Sequence, residues 1–397
     1  MEVVRRPGGL ERAPGPAGMG LLRALKHVLA VAFLGVAPIV ATAVVLGLAI
    51  GDDAAFDFRQ FWQGGRDVAH GVSPYPATGS LPEAAAASEL DPQGIQEVFR
   101  FPYPAPAAIA LAPFGVLPFA LAATIFTLLL LAATPAALLV LGVRDWRCHG
   151  AACLSIATIG AVRLGTLTPL LLLGLAIAWR YRDRARVVVP VLAAVISFKL
   201  FLWPLVVWLA VTGRLRSAAA TLAVAVAGTI GGWAVLGFAG FRDYPDLLGR
   251  LTDAVQAKSY STTSFGLALG LPEQVASAVA LLAGALTLGL TVVVARRGGM
   301  FADERAFTLT LAASLLLTPI LWLHYFLLLF APLALFRKRF APVWLIPLAF
   351  WFTPFQESGG EIWRIALVWL ILAAVLTLSL GRENPFRLTT QPIGRRT

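Results

Sequence analysis

The chain has 397 residues, of which 58% are hydrophobic and only 13% are charged, and its formal net charge is +11. Its mean hydropathy of +0.79 excludes an ordinary soluble domain, because so many apolar side chains cannot all be covered in water. The two cysteines fit neither a disulfide framework nor a metal cluster.

The first apolar run, residues 27–50, follows a basic segment and is long enough to cross a bilayer. It is longer than the apolar core of a signal peptide, so we predict a retained anchor. Further apolar runs lie at residues 117–142, 151–162, 167–179, 187–198, 200–212, 217–239, 274–295, 306–318, 320–336, 341–354 and 362–380. These runs predict an all-α polytopic membrane protein with about 10–12 transmembrane helices, in which the shorter runs need tilt or polar turns to span.

The basic residues are concentrated in alternate connections, and the acidic residues favour the other side. Because Lys and Arg favour the cytoplasmic side of a membrane, residues 1–26 and 381–397 are predicted to be cytoplasmic tails. Residues 51–117 and 240–273 then form two outer loops of a single integral membrane domain, 1–397. The net positive charge follows from this topology and from attraction to anionic lipids, so no nucleic acid partner is expected.

The first outer loop begins with a segment of helical periodicity that has an apolar and a polar face. The apolar positions are Phe58, Phe61, Trp62, Gly65, Val68 and Ala69. This pattern predicts a helix in the plane of the membrane interface, with Asp57 at its start. Asp57 has two compatible interpretations at this point, an N-cap of that helix or an acid that carries out chemistry.

The same loop continues with FRFPYPAPAAIALAPFGVLP, residues 99–118. Its prolines are predicted to prevent a helix through Pro106, because proline lacks the N–H and restrains its predecessor. The segment is therefore a loop of fixed shape. It serves either as one wall of a pocket or as a rigid connector.

Three ionisable residues occur within or beside apolar runs, namely Lys199, His324 and Arg163. All three fall at or near the predicted outer boundary of the membrane. A charge at membrane depth costs several kcal/mol, so the default interpretation is a functional site that faces protein or water. The alternative is snorkelling by Lys or Arg and a hydrogen-bonded structural histidine.

A set of short segments occurs in a characteristic order along residues 25–380. They are FDFRQFW with GVSPYP, FRFPYPAPAAIALAPFGVLP, RLGTLTPLLLLGLAIA, SFKLFLWPLVVWL, SYSTTSFGLALGL and LTPILWLHYFLLLFAPL. In this order they resemble the polyprenol-phosphate-mannose-dependent mannosyltransferases of glycosyltransferase family 87, within membrane class C. The chain departs from the family at Gly165-Thr166, where Gly-Gln is frequent, and at Thr262-Thr263, where Asn-Gln often precedes the serine.

The resemblance implies a class C glycosyltransferase bundle with its active site on the outer face of a bacterial plasma membrane. It implies transfer of a sugar, mannose by resemblance, from a polyprenyl-phosphate donor to a glycolipid or polysaccharide acceptor during cell-envelope glycolipid biosynthesis. Membrane lipids are the other expected partners. The residues expected to line the pocket are Arg59, Tyr103, Thr166, Ser264 and Trp322.

The chemistry of such a transfer agrees with the residues singled out above. The acceptor hydroxyl needs a base, for which Asp57 is placed, and the phosphate leaving group needs positive charge from Lys199, His324 and Arg163. A single carboxylate acting opposite the leaving phosphate predicts inversion at the anomeric carbon.

We expect no cofactor. Asp52, Asp53 and Asp57 would suit a divalent metal, but the first two are equally explained as acids that end a span.

Two other functions are weighed against a transferase. A transporter or flippase for a polar lipid would show related halves, and none is visible in the sequence. A scaffold without catalysis does not explain Lys199 and His324 in apolar runs.

Overall fold

The computed structural model describes residues 16–48, 55–75, 92–353 and 361–380, and within these ranges the chain is helical and forms no strand. The α-helices are α1 (Pro16–Val31), α2 (Ala37–Leu48), α3 (Phe56–Ala69), α4 (Pro92–Val98), α5 (Ala105–Gly115), α6 (Phe119–Val140), α7 (Trp146–Leu154), α8 (Ile156–Leu164), α9 (Thr168–Arg180), α10 (Ala185–Phe198), α11 (Leu205–Val211), α12 (Leu215–Val235), α13 (Tyr244–Val255), α14 (Thr262–Ala268), α15 (Glu273–Arg297), α16 (Ala302–Leu317), α17 (Phe330–Phe336) and α18 (Ile362–Leu380). Short 3₁₀ helices lie at Leu200–Leu202, Gln256–Lys258, Leu323–Leu329 and Pro342–Phe352, and a π-helical turn at Ala32–Val36 joins α1 to α2. The predicted tail 381–397, the first 15 residues of the predicted tail 1–26, and Asp52 and Asp53 lie outside the described residues.

Four helices in the described ranges are long and apolar enough to cross a membrane. They are Arg23–Val44, which runs through α1 and α2, and helices α6, α12 and α15. Helices α8 and α9 meet at 116° and add a fifth if they count as one broken span. The prediction of an all-α polytopic membrane protein is confirmed. Its count of about 10–12 stays a prediction, since it needs the remaining apolar helices of 10–17 residues to span as well.

The structure divides or shortens several of the predicted segments. The run predicted at 151–162 is broken at Ser155, whose backbone is extended (φ −62°, ψ 134°) between α7 and α8. Residues 320–336 become helical only at Leu323, and they begin as a 3₁₀ helix. The prediction that prolines prevent a helix through Pro106 is wrong, because α5 starts at Ala105 and holds Pro106 in its first turn. A missing N–H has no helical partner to lose at that position.

Helix α3 is held by aromatic packing inside the protein. Phe58 and Phe61 are fully buried. The Phe58 ring stacks on Phe126 of α6 with centroids 4.5 Å apart, and it meets the edge of Phe114 of α5 at 5.8 Å. The apolar face recognised in the sequence therefore contacts α5 and α6.

Glycines allow the backbones of α3 and α5 to touch. A Cβ added at Gly65 would lie 2.4 Å from the carbonyl oxygen of Leu111, and one added at Gly115 would lie 2.2 Å from the amide nitrogen of Arg66. Neither neighbour is a flexible side chain that could move aside. The contact therefore fixes how α3, and Asp57 at its start, sits on the helices below.

A polar cluster joins the other ends of several helices. Asp303, in the first turn of α16, accepts hydrogen bonds from Arg182 Nε at 2.7 Å, Arg214 Nη2 at 2.9 Å and Trp208 Nε1 at 2.7 Å. Arg182 follows α9 and Arg214 precedes α12. Helix α9 has 13 residues and is therefore about 20 Å long, so this cluster holds only its C-terminal end.

We expect Gly65→Ala to destabilise the protein by about 1–3 kcal/mol, because the new methyl group overlaps the backbone of α5. Thermal unfolding of the detergent-solubilised protein measures this effect. The matched control is Gly249→Ala, an exposed site in α13 whose added Cβ meets nothing within 4 Å. Equal melting temperatures for Gly65→Ala and wild type would show that α3 and α5 can separate without cost.

Candidate active site

The start of α3 is defined by its backbone and places Asp57 in the first turn. The N-cap residue is Ala55, which adopts a left-handed conformation (φ 55°, ψ 41°) and makes no side-chain capping bond. Asp57 is therefore not the N-cap residue, and the prediction that it caps α3 is wrong. A carboxylate in the first helical turn is still favoured by the helix dipole.

The turn between α8 and α9 lies directly against this start. The Ala55 N–H donates to the Arg163 carbonyl oxygen at 3.0 Å. Gly165 ends α8 with φ +73°, and a Cβ there would lie 2.6 Å from Cβ of Phe58, so both its conformation and its surroundings require glycine. Thr166 is buried beside it, and its hydroxyl pairs with that of Thr168 at 3.3 Å. The turn that holds Arg163 and Thr166 therefore packs against the start of α3, where Asp57 lies.

Lys199 lies where helix α10 ends, and aromatic groups surround its ammonium. Its backbone is extended (φ −142°, ψ 95°), which interrupts the apolar run before the 3₁₀ turn that starts at Leu200. Nζ donates a hydrogen bond to the Tyr325 hydroxyl at 2.8 Å. It also lies 4.5 Å from the ring centroid of Tyr103 and 5.0 Å from that of Tyr325. Rings at this distance stabilise a cation that has left water.

His324 connects the acid and the cation. It is 4% exposed, and its ring meets the edge of the Tyr325 ring with centroids 4.6 Å apart. Asp57 and Lys199 both lie near enough for their charges to act on the His324 ring. Three residues from distant parts of the chain therefore share one electrostatic environment.

Of three other predicted pocket residues, only Tyr103 contacts Lys199, and Arg59 and Trp322 make contacts elsewhere. Tyr103 joins the cluster through Lys199, as described above. Arg59 extends over Phe119 at the start of α6, with its guanidinium carbon 4.8 Å from the ring centroid. Trp322 packs against the second outer loop, in a small apolar cluster that includes Leu247 and Val255.

The Ser264 hydroxyl is used within its own loop. Ser264 is buried, its hydroxyl donates to the Ser259 carbonyl oxygen at 2.7 Å, and its N–H donates to the Ser261 hydroxyl, which caps α14. The Tyr260 N–H of the same loop donates to the Leu321 carbonyl oxygen at 2.8 Å. This hydrogen bond fastens the predicted second outer loop to the residues just before His324. The role of Ser264 in lining a pocket stays a prediction.

Tyr325 is a site residue that the sequence analysis missed. Its hydroxyl accepts the hydrogen bond from Lys199, and its ring stacks on Phe201 at 5.0 Å. The His-Tyr pair in an apolar run would have indicated it, because the chain has only six tyrosines. A buried tyrosine needs a partner for its hydroxyl, and the half-buried Lys199 supplies one.

Metal binding was the open alternative for the acids near Asp57. Among the described residues, no three His, Cys, Asp or Glu side chains lie together in a way that could hold a metal ion. Asp52 and Asp53 lie outside those residues.

Comparison with known proteins gives one match. Searches of curated proteins and of solved structures returned no significant similarity. The model of glycosyltransferase family 87 matches residues 101–323, which is more than half of the chain. The matched region contains Tyr103, Arg163 and Lys199, ends one residue before His324, and does not reach Asp57. With this match and its apolar spanning helices, the chain belongs to glycosyltransferase family 87 and is a multi-pass membrane glycosyltransferase.

Proposed function

We propose that the protein transfers mannose from a polyprenyl-phosphate donor to an acceptor hydroxyl at the outer face of a bacterial plasma membrane. The observation that carries this proposal is geometric: Lys199 is hydrogen-bonded to Tyr325 at 2.8 Å, the buried His324 ring packs on that of Tyr325, and Asp57 lies near them in the first turn of α3. An acid and a cation are the two groups that transfer from a phosphate donor requires. The resemblance of the ordered segments supplies the donor class.

In the proposed reaction, the Asp57 carboxylate accepts the proton of the acceptor hydroxyl. The acceptor oxygen forms a bond to the anomeric carbon while the bond from that carbon to the phosphate oxygen breaks. The polyprenyl phosphate leaves with the bonding electrons, and the Lys199 ammonium stabilises its negative charge. Attack opposite the leaving group inverts the anomeric configuration.

His324 and Arg163 have secondary roles in this proposal. His324 hydrogen-bonds the donor phosphate or its sugar from within the cluster. Arg163 adds positive charge close to the start of α3, where its backbone is hydrogen-bonded to Ala55. No cofactor is part of the proposed reaction.

Asp57→Asn tests the base. The amide keeps the size of the side chain and removes the proton acceptor, so turnover should fall about 10²- to 10⁴-fold while donor binding is retained. Transfer of radiolabelled mannose from polyprenyl phosphate, measured in membranes that contain the purified protein, reports turnover. Asp52→Asn and Asp53→Asn are the matched acid-to-amide controls, and both should reduce turnover only slightly. Wild-type turnover in Asp57→Asn beside an inactive neighbour would mean that the base is another acid.

Lys199→Ala tests the phosphate contact. Loss of the cation should weaken donor binding by about 2–5 kcal/mol, because a buried charge pair with the phosphate is broken. Lys199→Arg should recover part of the affinity, since the charge returns with a different geometry. Tyr325→Phe keeps the ring and removes the 2.8 Å hydrogen bond, and it should cost less. Direct binding of polyprenyl-phosphate mannose measures all three variants, with Lys258→Ala as the control, and unchanged affinity in Lys199→Ala would remove this role.

Cysteine labelling tests the proposed outer face. Val72 and Ala257 are exposed residues of the first and second predicted outer loops, and Arg184 is exposed in a predicted cytoplasmic turn. In a background without Cys148 and Cys153, Val72→Cys and Ala257→Cys should react with an impermeant thiol reagent on intact cells. Arg184→Cys should react only after the cells are permeabilised. Labelling of only one of the two outer positions would contradict the topology.

A further inference from the structure

A polar cleft lies at the far end of α3 from Asp57. It has a volume of about 230 Å³ and is formed by the last turns of α3 together with the start of the FRFPYP segment. Its walls include Trp62, Gln63, Arg66, Asp67, Arg100 and Phe101. These side chains have no role in the reaction proposed above.

The charged residues that line the cleft are one acid, Asp67, and two arginines, Arg66 and Arg100. Burial raises the pKa of the Asp67 carboxyl above its usual value, although the positive charges of Arg100 and Arg66 oppose this effect. The charge of His70, the C-cap residue of α3, acts in the same direction as the two arginines, and its Nδ1 lies 2.8 Å from the Arg66 carbonyl oxygen. A carboxylate that is partly withdrawn from water is costly unless a ligand or neighbouring groups satisfy it.

The hydrogen-bonding groups of the cleft match a polyhydroxylated ligand. A carboxylate only accepts, guanidinium groups only donate, and the Gln63 amide does both, so together they satisfy hydroxyl groups that donate and accept at once. The Trp62 N–H is already bonded to the Leu117 carbonyl oxygen at 2.9 Å, which fixes the orientation of its indole ring. The Arg66 guanidinium carbon lies 5.3 Å from the centroid of this ring, and Phe101 is fully buried, so the cleft offers a ligand its polar groups on a rigid aromatic support.

Two elements connect this cleft to the active-site cluster. Asp67 and Asp57 are ten residues apart on one helix, which separates them by about 15 Å along its axis. Phe101 lines the cleft, and its ring lies 5.6 Å from that of Tyr103, the ring beneath Lys199. The same rigid elements therefore present both places, at a separation that a chain of a few sugar units spans.

We propose that this cleft binds a sugar unit of the acceptor that is remote from the hydroxyl being glycosylated. The acceptor is then an oligosaccharide headgroup, one end of which reaches Asp57 while another unit occupies the cleft. This inference rests on the proposed function for its link to catalysis. The binding of sugar by the cleft is a separate property and is tested separately.

The test measures sugar binding without turnover. The wild-type protein in lipid nanodiscs is mixed with the methyl α-glycosides of mannose, glucose, galactose and arabinose and with mannobiose, and saturation-transfer NMR detects binding. We expect at least one of these sugars to bind. Asp67→Asn and Arg100→Gln should weaken that binding about tenfold or more, the size of one lost hydrogen bond to a charged group.

Matched variants separate the cleft from the active site. Asp253→Asn, an exposed acid of the second outer loop, should leave sugar binding unchanged, and so should Asp57→Asn. Binding of polyprenyl-phosphate mannose is measured on every variant and should stay at the wild-type level, which shows that each is folded. If Asp67→Asn also loses donor binding, Gln63→Ala replaces it in the test. Gln63 is exposed on the surface of α3, so this variant should stay folded and bind donor while it binds sugar more weakly.

Three results would overturn the proposal. They are the absence of binding by every tested sugar, wild-type sugar affinity in the cleft variants, and displacement of the sugar by inorganic phosphate, which would assign the cleft to an anion. Failure of the proposed function gives a different pattern. The cleft would then bind sugar normally while the wild-type protein transferred none.

Discussion

The Lys199 ammonium has to be stabilised among apolar helices, and the arrangement around it follows from that need. A charge removed from water costs several kcal/mol unless other groups replace its hydration. Here a tyrosine hydroxyl at 2.8 Å and two aromatic rings replace part of it. The rings come from the FRFPYP segment and from the 3₁₀ helix at Leu323–Leu329, so holding the cation also brings His324 and the first outer loop together.

The acid on the other side of this cluster is positioned by steric contact. Helix α3 can place Asp57 beside the cluster only because Gly65 and Gly115 let two backbones touch and Gly165 admits Phe58. Aromatic stacking then prevents rotation of α3 about its axis. A tightly packed helix is a suitable support for a base, because small displacements of a catalytic group reduce the rate greatly.

In the proposed reaction, the same helix would relate catalysis to acceptor choice. A rigid α3 holds Asp57 at one end and the polar cleft at the other, so an acceptor that uses both is measured along a fixed length. Specificity obtained this way depends on polar groups that a wrong acceptor would leave unpaired, which discriminates more strongly than apolar contact.

The sequence by itself determined that this is a helical membrane protein, that Lys199 and His324 lie in apolar runs, and that Asp57 stands at the start of an amphipathic helix. Hydropathy and periodicity are local properties, so a single chain displays them. Only the tertiary structure decided that Ala55 caps α3, that Tyr325 holds Lys199, and that the Ser264 hydroxyl serves its own loop. Those outcomes depend on distances between residues far apart in the chain, which helix packing sets and composition does not record.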